Sequence, residues 1–454
     1  MKKIFINRIG RRQFLKTSLS GLALVTLPRI SFAQSNPDVV VIGAGSAGLS
    51  ASAELVRRGI SFVCIEGMNR IGGRCYTDMS TFGVPADHGA HWLHGHAQNE
   101  IAIFGKKHKD KFKIYKEPDR SVVYDGKTKV NENKLWKIYK KIEKIKEATS
   151  SDEPFMDLLP EKIKKNDWFD TAHKASMARD FGEFSTYDDN NNWYDPGWDS
   201  GNALCREGYG TLLAYYRKDV PVKLNTIVSE IKWGGKGVQV VTNKGTINAK
   251  ACIVTVSAGV LKAEKIKFTP DLPLRNREAL ESVSMTVSNR VLMQLKKKFL
   301  GKFKNDTNFY IKCNSNGAKS PETISYGLLK MSGTNVSLFG ISGQFSRDLE
   351  NEGSEAMIDF VLNKLKSTFG SKFYEKYFIK AIATGWANNP FTLGAYSGGV
   401  PGKSRLRRDI KMPVGDRIFF AGEATAGAFS TVHGANRSGV RAATDLFISP
   451  ALES

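Results

Sequence analysis

Asp38-Val39-Val40-Val41-Ile42-Gly43-Ala44-Gly45-Ser46-Ala47-Gly48 is the stretch whose reading decides the fold. Four apolar residues in a row predict a buried strand. The glycines behind them permit a tight turn that brings backbone N–H groups close to a pyrophosphate. A helix beginning near Ala47 would aim its positive end at that phosphate. The run Ile60 to Glu66 predicts a second strand, closed by an acid about 20 residues after the glycines, where a carboxylate accepts ribose hydroxyls. Glycines also mark ordinary turns between strand and helix, so the glycine pattern alone is weak. With strand before, helix after and acid at the right distance, it reads as a dinucleotide cradle. Gly43, Gly45, Ser46, Ala47, Gly48 and Glu66 are its cofactor-binding positions.

Far down the chain, Arg417-Ile418-Phe419-Phe420-Ala421-Gly422-Glu423 precedes His433-Gly434-Ala435-Asn436-Arg437-Ser438-Gly439. Together the two stretches read as halves of one FAD clamp. The redox chemistry would then belong to the flavin, and the protein would place a substrate beside it. The implied fold class is α/β (α+β), a discontinuous Rossmann-like FAD-binding domain with an inserted mixed-sheet and helical substrate domain. Residues 34–105, 201–284 and 401–454 are assigned to the first, and 106–200 and 285–400 to the second.

The 454 residues suffice for two domains with cores of their own. The formal net charge is +22. Seven of those charges precede Gln34 with no acid among them, which leaves +15 on the remainder. Arg11-Arg12-Gln13-Phe14-Leu15-Lys16, the apolar run Leu19 to Leu27 and Ser31-Phe32-Ala33 resemble a twin-arginine signal peptide over residues 1–33. Its apolar run is too short to span a bilayer. This predicts a protein exported folded to the periplasm, and the bland alternative is a basic amphipathic extension. The five cysteines, Cys64, Cys75, Cys205, Cys252 and Cys313, are scattered and lack metal spacing, so no metal site is predicted and no disulfide pair can be named.

Leu135, Ile138, Tyr139, Ile142 and Ile145 predict one buried helix face with solvated lysines around it. Interleaved aromatics are few there, so nucleic acid is not an expected partner. The stretch Asp180 to Asp199 is acidic and aromatic, with Asp188, Asp189, Trp193, Asp195 and Trp198. It reads as a polar surface loop, or as a funnel for a cationic ligand. Arg70-Ile71-Gly72-Gly73-Arg74 either carries Arg74 to the cofactor phosphates or is a plain turn.

These residues, with Asp87-His88-Gly89-Ala90-His91-Trp92-Leu93-His94-Gly95 and Trp386 to Tyr396, resemble the flavin-dependent amine oxidase family, and within it the polyamine oxidase branch. The resemblance runs from Asp38 to Leu446. It implies that Glu66 binds the adenosine ribose, Arg74 the phosphate region, Gly89 and Ala90 the flavin, Val228 the adenine through its backbone, and Glu423 the ribityl chain. The helix starting near Val432 would face the flavin's pyrimidine end. His94 would meet substrate, with His91 a weaker candidate, and Tyr396 would supply one ring beside the reacting amine.

Three departures from the family pattern stand out. Arg290 occupies the place of a lysine that is usually water-bridged to the flavin and tied to its reoxidation by oxygen. An arginine stays protonated and cannot act as a base. Thr431 stands where a second tyrosine is common. No cysteine lies near Ala395, where monoamine oxidases attach the flavin, so FAD is expected to be non-covalent. The resemblance therefore implies oxidation of an amine C–N bond, of a polyamine or related amine, by hydride transfer. The imine product hydrolyses to aldehyde plus amine, and oxygen or a periplasmic electron carrier takes the electrons. His94, Tyr396, Arg290 and Thr431 are the residues placed at the reaction. An L-amino acid oxidase, or a flavin-bearing protein that binds amines without turnover, are the alternatives. A basic surface would repel polyamines at long range; it suits an anionic substrate, an acidic carrier or loose association with membrane head groups.

Overall fold

The computed structural model describes residues 36–177, 180–313 and 321–453, which belong to a single compact unit. Residues 1–33, where a twin-arginine signal is expected, lie outside the described residues. Val39–Ile42 forms the predicted strand, flanked in a five-stranded parallel sheet by Ala251–Val254 and Phe62–Ile65. Ile418–Phe420 and Val222–Lys223 are the outer strands. Because strand side chains alternate between faces, Val39 and Val41 pack with Leu49, Leu55, Phe419, Ala442 and Leu446, whereas Val40 and Ile42 join Val63, Cys252 and Val254 on the other side. A parallel sheet covered on both faces needs such unbroken apolar strands.

Helix α1 (Ser46–Arg57) follows the glycine turn, helix α2 (Asn133–Ala148) buries Leu135, Ile138 and Ile142, and helix α3 (Val432–Ile448) returns to lie against α1. The α1–α3 contact is so close that a Cβ on Gly439 would sit 2.0 Å from the Ala47 carbonyl oxygen. A second, seven-stranded sheet runs 378–383, 288–295, 336–342, 326–329, 307–311, 121–125 and 128–130. It is antiparallel apart from the pairing of 307–311 with 121–125. All strands of the first sheet come from 34–105, 201–284 and 401–454, and all strands of the second from 106–200 and 285–400. Within Ser288–Leu295, Val291 and Met293 face one apolar core, while Leu292 faces Phe82, Leu328, Leu338 and Trp92. Arg290, two residues before Leu292, points to that second face. A short ladder pairing Val283–Thr286 with Tyr396–Gly399 carries Tyr396.

Among the described residues no helix is long and apolar enough to cross a membrane, and no group of side chains is arranged to hold a metal ion. All five cysteines are unpaired thiols, four of them buried. Burial pushes the Cys64 thiol up to about 12.

Candidate active site

Two strand ends and two helix starts meet at the glycine turn. Gly43 has φ +102°, a backbone conformation that side chains rarely adopt. A Cβ on Gly48 would lie 1.8 Å from the Gly43 oxygen, whereas one on Gly45 would meet nothing within 4 Å. The open side of Gly45 is where a ligand's backbone contact belongs. No side chain caps α1, so its first N–H groups remain available to an anion. Ser46 Oγ donates to the Val432 carbonyl at 2.8 Å, drawing the N-termini of α1 and α3 together. The two helix dipoles therefore favour negative charge at the same place. Buried Glu66 accepts from the N–H groups of Ala44 (2.7 Å) and Met68 (2.8 Å), which pins its carboxylate beside the turn. Val228 is buried at the start of the neighbouring strand Val228–Lys232.

Glu423 lies one residue beyond Gly422, and Thr255 joins the two halves. Its hydroxyl donates to the carbonyls of Ile42 and Gly43, and its own carbonyl oxygen would be 3.7 Å from a Cβ on Gly422. Arg74 Nη1 donates to Glu423 (3.0 Å) and to the Ala395 carbonyl (3.0 Å). Arg74 thus reaches the late carboxylate directly. Burial alone would push the Glu423 carboxyl up. Arg74, the Ser397 donors and Arg407 outweigh it and hold the group below the usual carboxylate range. The Ser430 N–H adds a donor at 3.1 Å. Ala90 N–H donates to the Arg74 carbonyl, and a Cβ on Gly89 would press on that same oxygen at 1.8 Å. Gly89 and Ala90 are therefore locked to the clamp. A narrow cleft lined by Arg74, Val256, Ser257, Gly422 and Glu423 opens here. Glycine backbone, helix N-termini, an acid for ribose and a buried cation–carboxylate pair together match what a flavin dinucleotide demands.

Apart from the glycine turn, His94 heads a chain of hydrogen bonds. Its Nδ1 lies 2.7 Å from the Asn202 side-chain oxygen. The Asn202 amide donates to Glu117 (2.8 Å), and the second Glu117 oxygen accepts from the Trp92 indole (2.8 Å). With the Asn202 oxygen as acceptor, Nδ1 carries the proton and Nε2 keeps a bare lone pair. Burial lowers the His94 pKa against the opposing pull of Asn202, so the ring is neutral at pH 7. It can accept a hydrogen bond there. His91 serves elsewhere. Buried, it binds Asp87 at 2.7 Å, and Asp87 also holds Thr77 Oγ1 and the Tyr209 N–H. That cluster is structural.

Arg290 is 8 % exposed. Its guanidinium reaches the Tyr326 hydroxyl at 3.3 Å and the Asp87 carbonyl at 3.4 Å, and lies 5.4 Å from the Trp92 ring centre. Tyr396 is half-buried between Ala395, which binds Arg74, and Ser397, which binds Glu423. Thr431 caps α3: its hydroxyl accepts from Gly434 N–H and donates to the Ala428 carbonyl. With both functions of the hydroxyl committed, it has no proton to offer a substrate.

The stretch 180–199 lies at the surface in part, and its buried acids correct the funnel reading. Asp180 is buried on Lys174, Asp188 on Arg407, and Asp195 on His433 (2.9 Å) and Arg437 (3.1 Å). These three are bound internally and form no cationic funnel, whereas Asp199 stays exposed and Asp189 half-buried. Burial drives the His433 pKa down to about 4 despite Asp195. The exposed residues of the stretch include Glu183, Tyr194, Trp198 and Asp199. Trp193 and Trp198 meet edge to face at 4.7 Å, and Trp198 is 5.5 Å from the His94 ring.

The model of the flavin containing amine oxidoreductase family matches residues 46–447. The chain belongs to that family. It is similar to polyamine oxidase 4 of Oryza sativa subsp. japonica, 29 % identical over 95 % of this chain and 92 % of that protein. Polyamine oxidase 2 of Arabidopsis thaliana is 28 % identical, over 90 % and 88 %. Among solved structures, a triple mutant of putrescine oxidase with redesigned cofactor binding superposes with a TM-score of 0.72. It is 18 % identical and covers 91 % of this chain and 99 % of its own. Family and fold make the chain an FAD-dependent amine oxidoreductase, and the geometry above suits that cofactor.

Sequence reasoning missed Ser397, Ser430 and Arg407 around Glu423, and Asn202 and Glu117 behind His94. Their partners in these clusters lie between 7 and 108 residues away, and no local pattern announces them.

Proposed function

We propose that this chain oxidises the C–N bond of an aliphatic amine, a polyamine or a relative of one, held neutral against His94. The bare Nε2 of that buried, Asn202-oriented histidine is the observation that carries the reading. An acceptor at this point takes a hydrogen bond from the amine N–H while leaving the nitrogen lone pair free to assist oxidation. Bound FAD supplies a two-electron acceptor for hydride from the α-carbon, and the resulting imine hydrolyses in water to an aldehyde plus a shorter amine or ammonia.

The chain's own residues bind, orient and exclude water. Glu66 would take the ribose hydroxyls, Val228 the adenine, Gly43 to Gly48 the pyrophosphate, and Glu423 with Arg74 the middle of a non-covalently held FAD. Gly89, Ala90 and the start of α3 at Val432 would border the flavin ring. Tyr396 would wall the amine on one side, and Thr431, busy with its cap, offers only its methyl group opposite. One ring instead of two leaves more room than a paired aromatic cage.

Arg290 cannot relay a proton as a base, so electrons leave to oxygen directly or to a periplasmic carrier. The twin-arginine pattern supports export, and the basic surface supports loose contact with lipid head groups. Trapping the carbonyl product with a hydrazine after turnover of spermidine, putrescine and ornithine tests the reaction. An aldehyde formed one-for-one with reduced acceptor supports it, and consumption of electrons without any carbonyl product contradicts it. Replacing Arg11 and Arg12 with lysines should trap the protein in the cytoplasm. Unchanged export would exclude the twin-arginine route.

A further inference from the structure

The guanidinium of Arg290 is a buried cation without a counter-ion. Among the described residues no carboxylate lies within ion-pairing distance of it, and its two hydrogen bonds, to the Tyr326 hydroxyl and the Asp87 carbonyl, are long. The two nearby acids are both occupied. The Asp87 carboxylate holds His91, Thr77 and the Tyr209 N–H, and turns only its backbone carbonyl to Arg290. The Glu117 carboxylate holds Trp92 and Asn202. Arginine offers five N–H donors in a planar fork, and two of them are accounted for. Removing such a charge from water is costly unless an anion meets it.

Its position gives the missing anion a role. Trp92 stands between Arg290 and the His94 relay, presenting its ring to the guanidinium and its indole N–H to Glu117. His94 follows two residues later, and the charge of Arg290 is felt at its ring. An amine acceptor and a guanidinium with donors to spare therefore flank one tryptophan. Elsewhere the molecule points the same way. Asp180, Asp188 and Asp195 are bound internally to Lys174, Arg407, His433 and Arg437, and the chain outside residues 1–33 carries +15.

We propose that Arg290 binds a carboxylate of the substrate, so that the amines oxidised by this chain carry an anionic group. The inference rests on the amine-oxidation reading and narrows its substrate class to amino-carboxylates. A fork-to-carboxylate pair beside a neutral-amine acceptor fixes both ends of such a molecule and sets which carbon bears the departing hydride.

The test uses the purified holoenzyme without oxygen and substrate pairs that differ by one carboxylate: ornithine against putrescine, and lysine against cadaverine. The carboxylated member should reduce the flavin with an apparent Kd lower by roughly 100-fold, the loss typical of removing one partner from a buried charged pair. Arg290→Gln should erase most of that preference, and Arg290→Lys, which keeps a charge, should retain part of it. An equilibrium readout accompanies the rates: benzoate, which cannot be oxidised, should perturb the visible flavin spectrum of the native protein and lose affinity in Arg290→Gln. Should Arg290→Gln fail to fold, the substrate pairs and the benzoate titration of the native protein still decide. Putrescine and cadaverine reducing the flavin as readily as their carboxylated partners would overturn the proposal while leaving amine oxidation standing. Reduction by no amine of either kind would remove both.

Discussion

At the nucleotide cradle, Gly43 to Gly48 work through backbone: a positive φ, an open side at Gly45 and two helix N-termini drawn together by Ser46. In the proposed amine site, His94, Asn202, Glu117, Trp92 and Arg290 work through side chains, and His94 and Asn202 are 108 residues apart. The first region depends on what is absent, a Cβ, and the second on what each side chain is bonded to. Damage to the cradle should therefore appear as lost protein or lost flavin, and damage to the relay as altered kinetics in a folded, yellow protein.

The harshest test of that division is Glu423→Ala. It strips Arg74 of its carboxylate and leaves Ser397 and Ser430 N–H groups unpaired inside the fold. A loss of about 3 kcal/mol follows from leaving the partly buried Arg74 cation and two N–H groups without their acceptor, measured by denaturant unfolding and by the flavin-to-protein absorbance ratio. Of similar size is the contrast between two cradle glycines. Gly48→Ala drives a methyl group into the Gly43 carbonyl and should cost about 3 kcal/mol or more. Gly45→Ala meets only open space, so stability should hold to within about 1 kcal/mol while the flavin is lost. If both variants unfold alike, the open side of Gly45 is not a ligand contact.

Acid should weaken the joint between the two regions. His433, at the start of α3, is held near 4 against an ordinary 6.5. The unfolded chain takes up this proton first, so stability falls as pH drops from about 6.5 to about 4, by at most about 3 kcal/mol. Below about 4.5 the depressed carboxyls of Glu54, held at about 2, and Glu423 continue the loss. His433→Gln should flatten the upper part of the curve, which unfolding titrations between pH 7 and pH 4 would show.

Smaller still are effects confined to the relay. Asn202→Ala removes the partner that fixes the His94 tautomer and should lower kcat/KM about 10- to 100-fold, with flavin content unchanged and the acid limb of the pH profile shifted. Trp198, 47 % exposed, stands at the surface beside His94. Trp198→Ala should raise KM by about two- to fivefold and leave kcat alone, the size of an exposed cation–ring contact.

The cradle was legible because its chemistry is local. Four valine and isoleucine positions, a glycine turn and Glu66 lie within 30 residues, and the structure keeps them in that arrangement. Helix α2 was legible for the same reason, since its apolar stripe repeats at helical spacing. The acidic stretch was legible only in part, because composition does not show pairing. Asp188 and Asp195 find Arg407 and His433 across more than 200 residues, and burial converts apparent surface acids into internal struts. Arg290 fell between these cases. Its identity was visible as a departure from the family lysine, but only coordinates show that both neighbouring carboxylates are already bound to other donors.

The measurement closest to the heart of this account is the visible spectrum of the purified protein, recorded without oxygen before and after an amine is added. A yellow protein whose flavin band bleaches on addition of amine, and more slowly in Asn202→Ala, is the predicted result. A protein that is colourless and cannot be reconstituted with FAD, or one whose band is unmoved by polyamines, simple amines and amino acids alike, would contradict it.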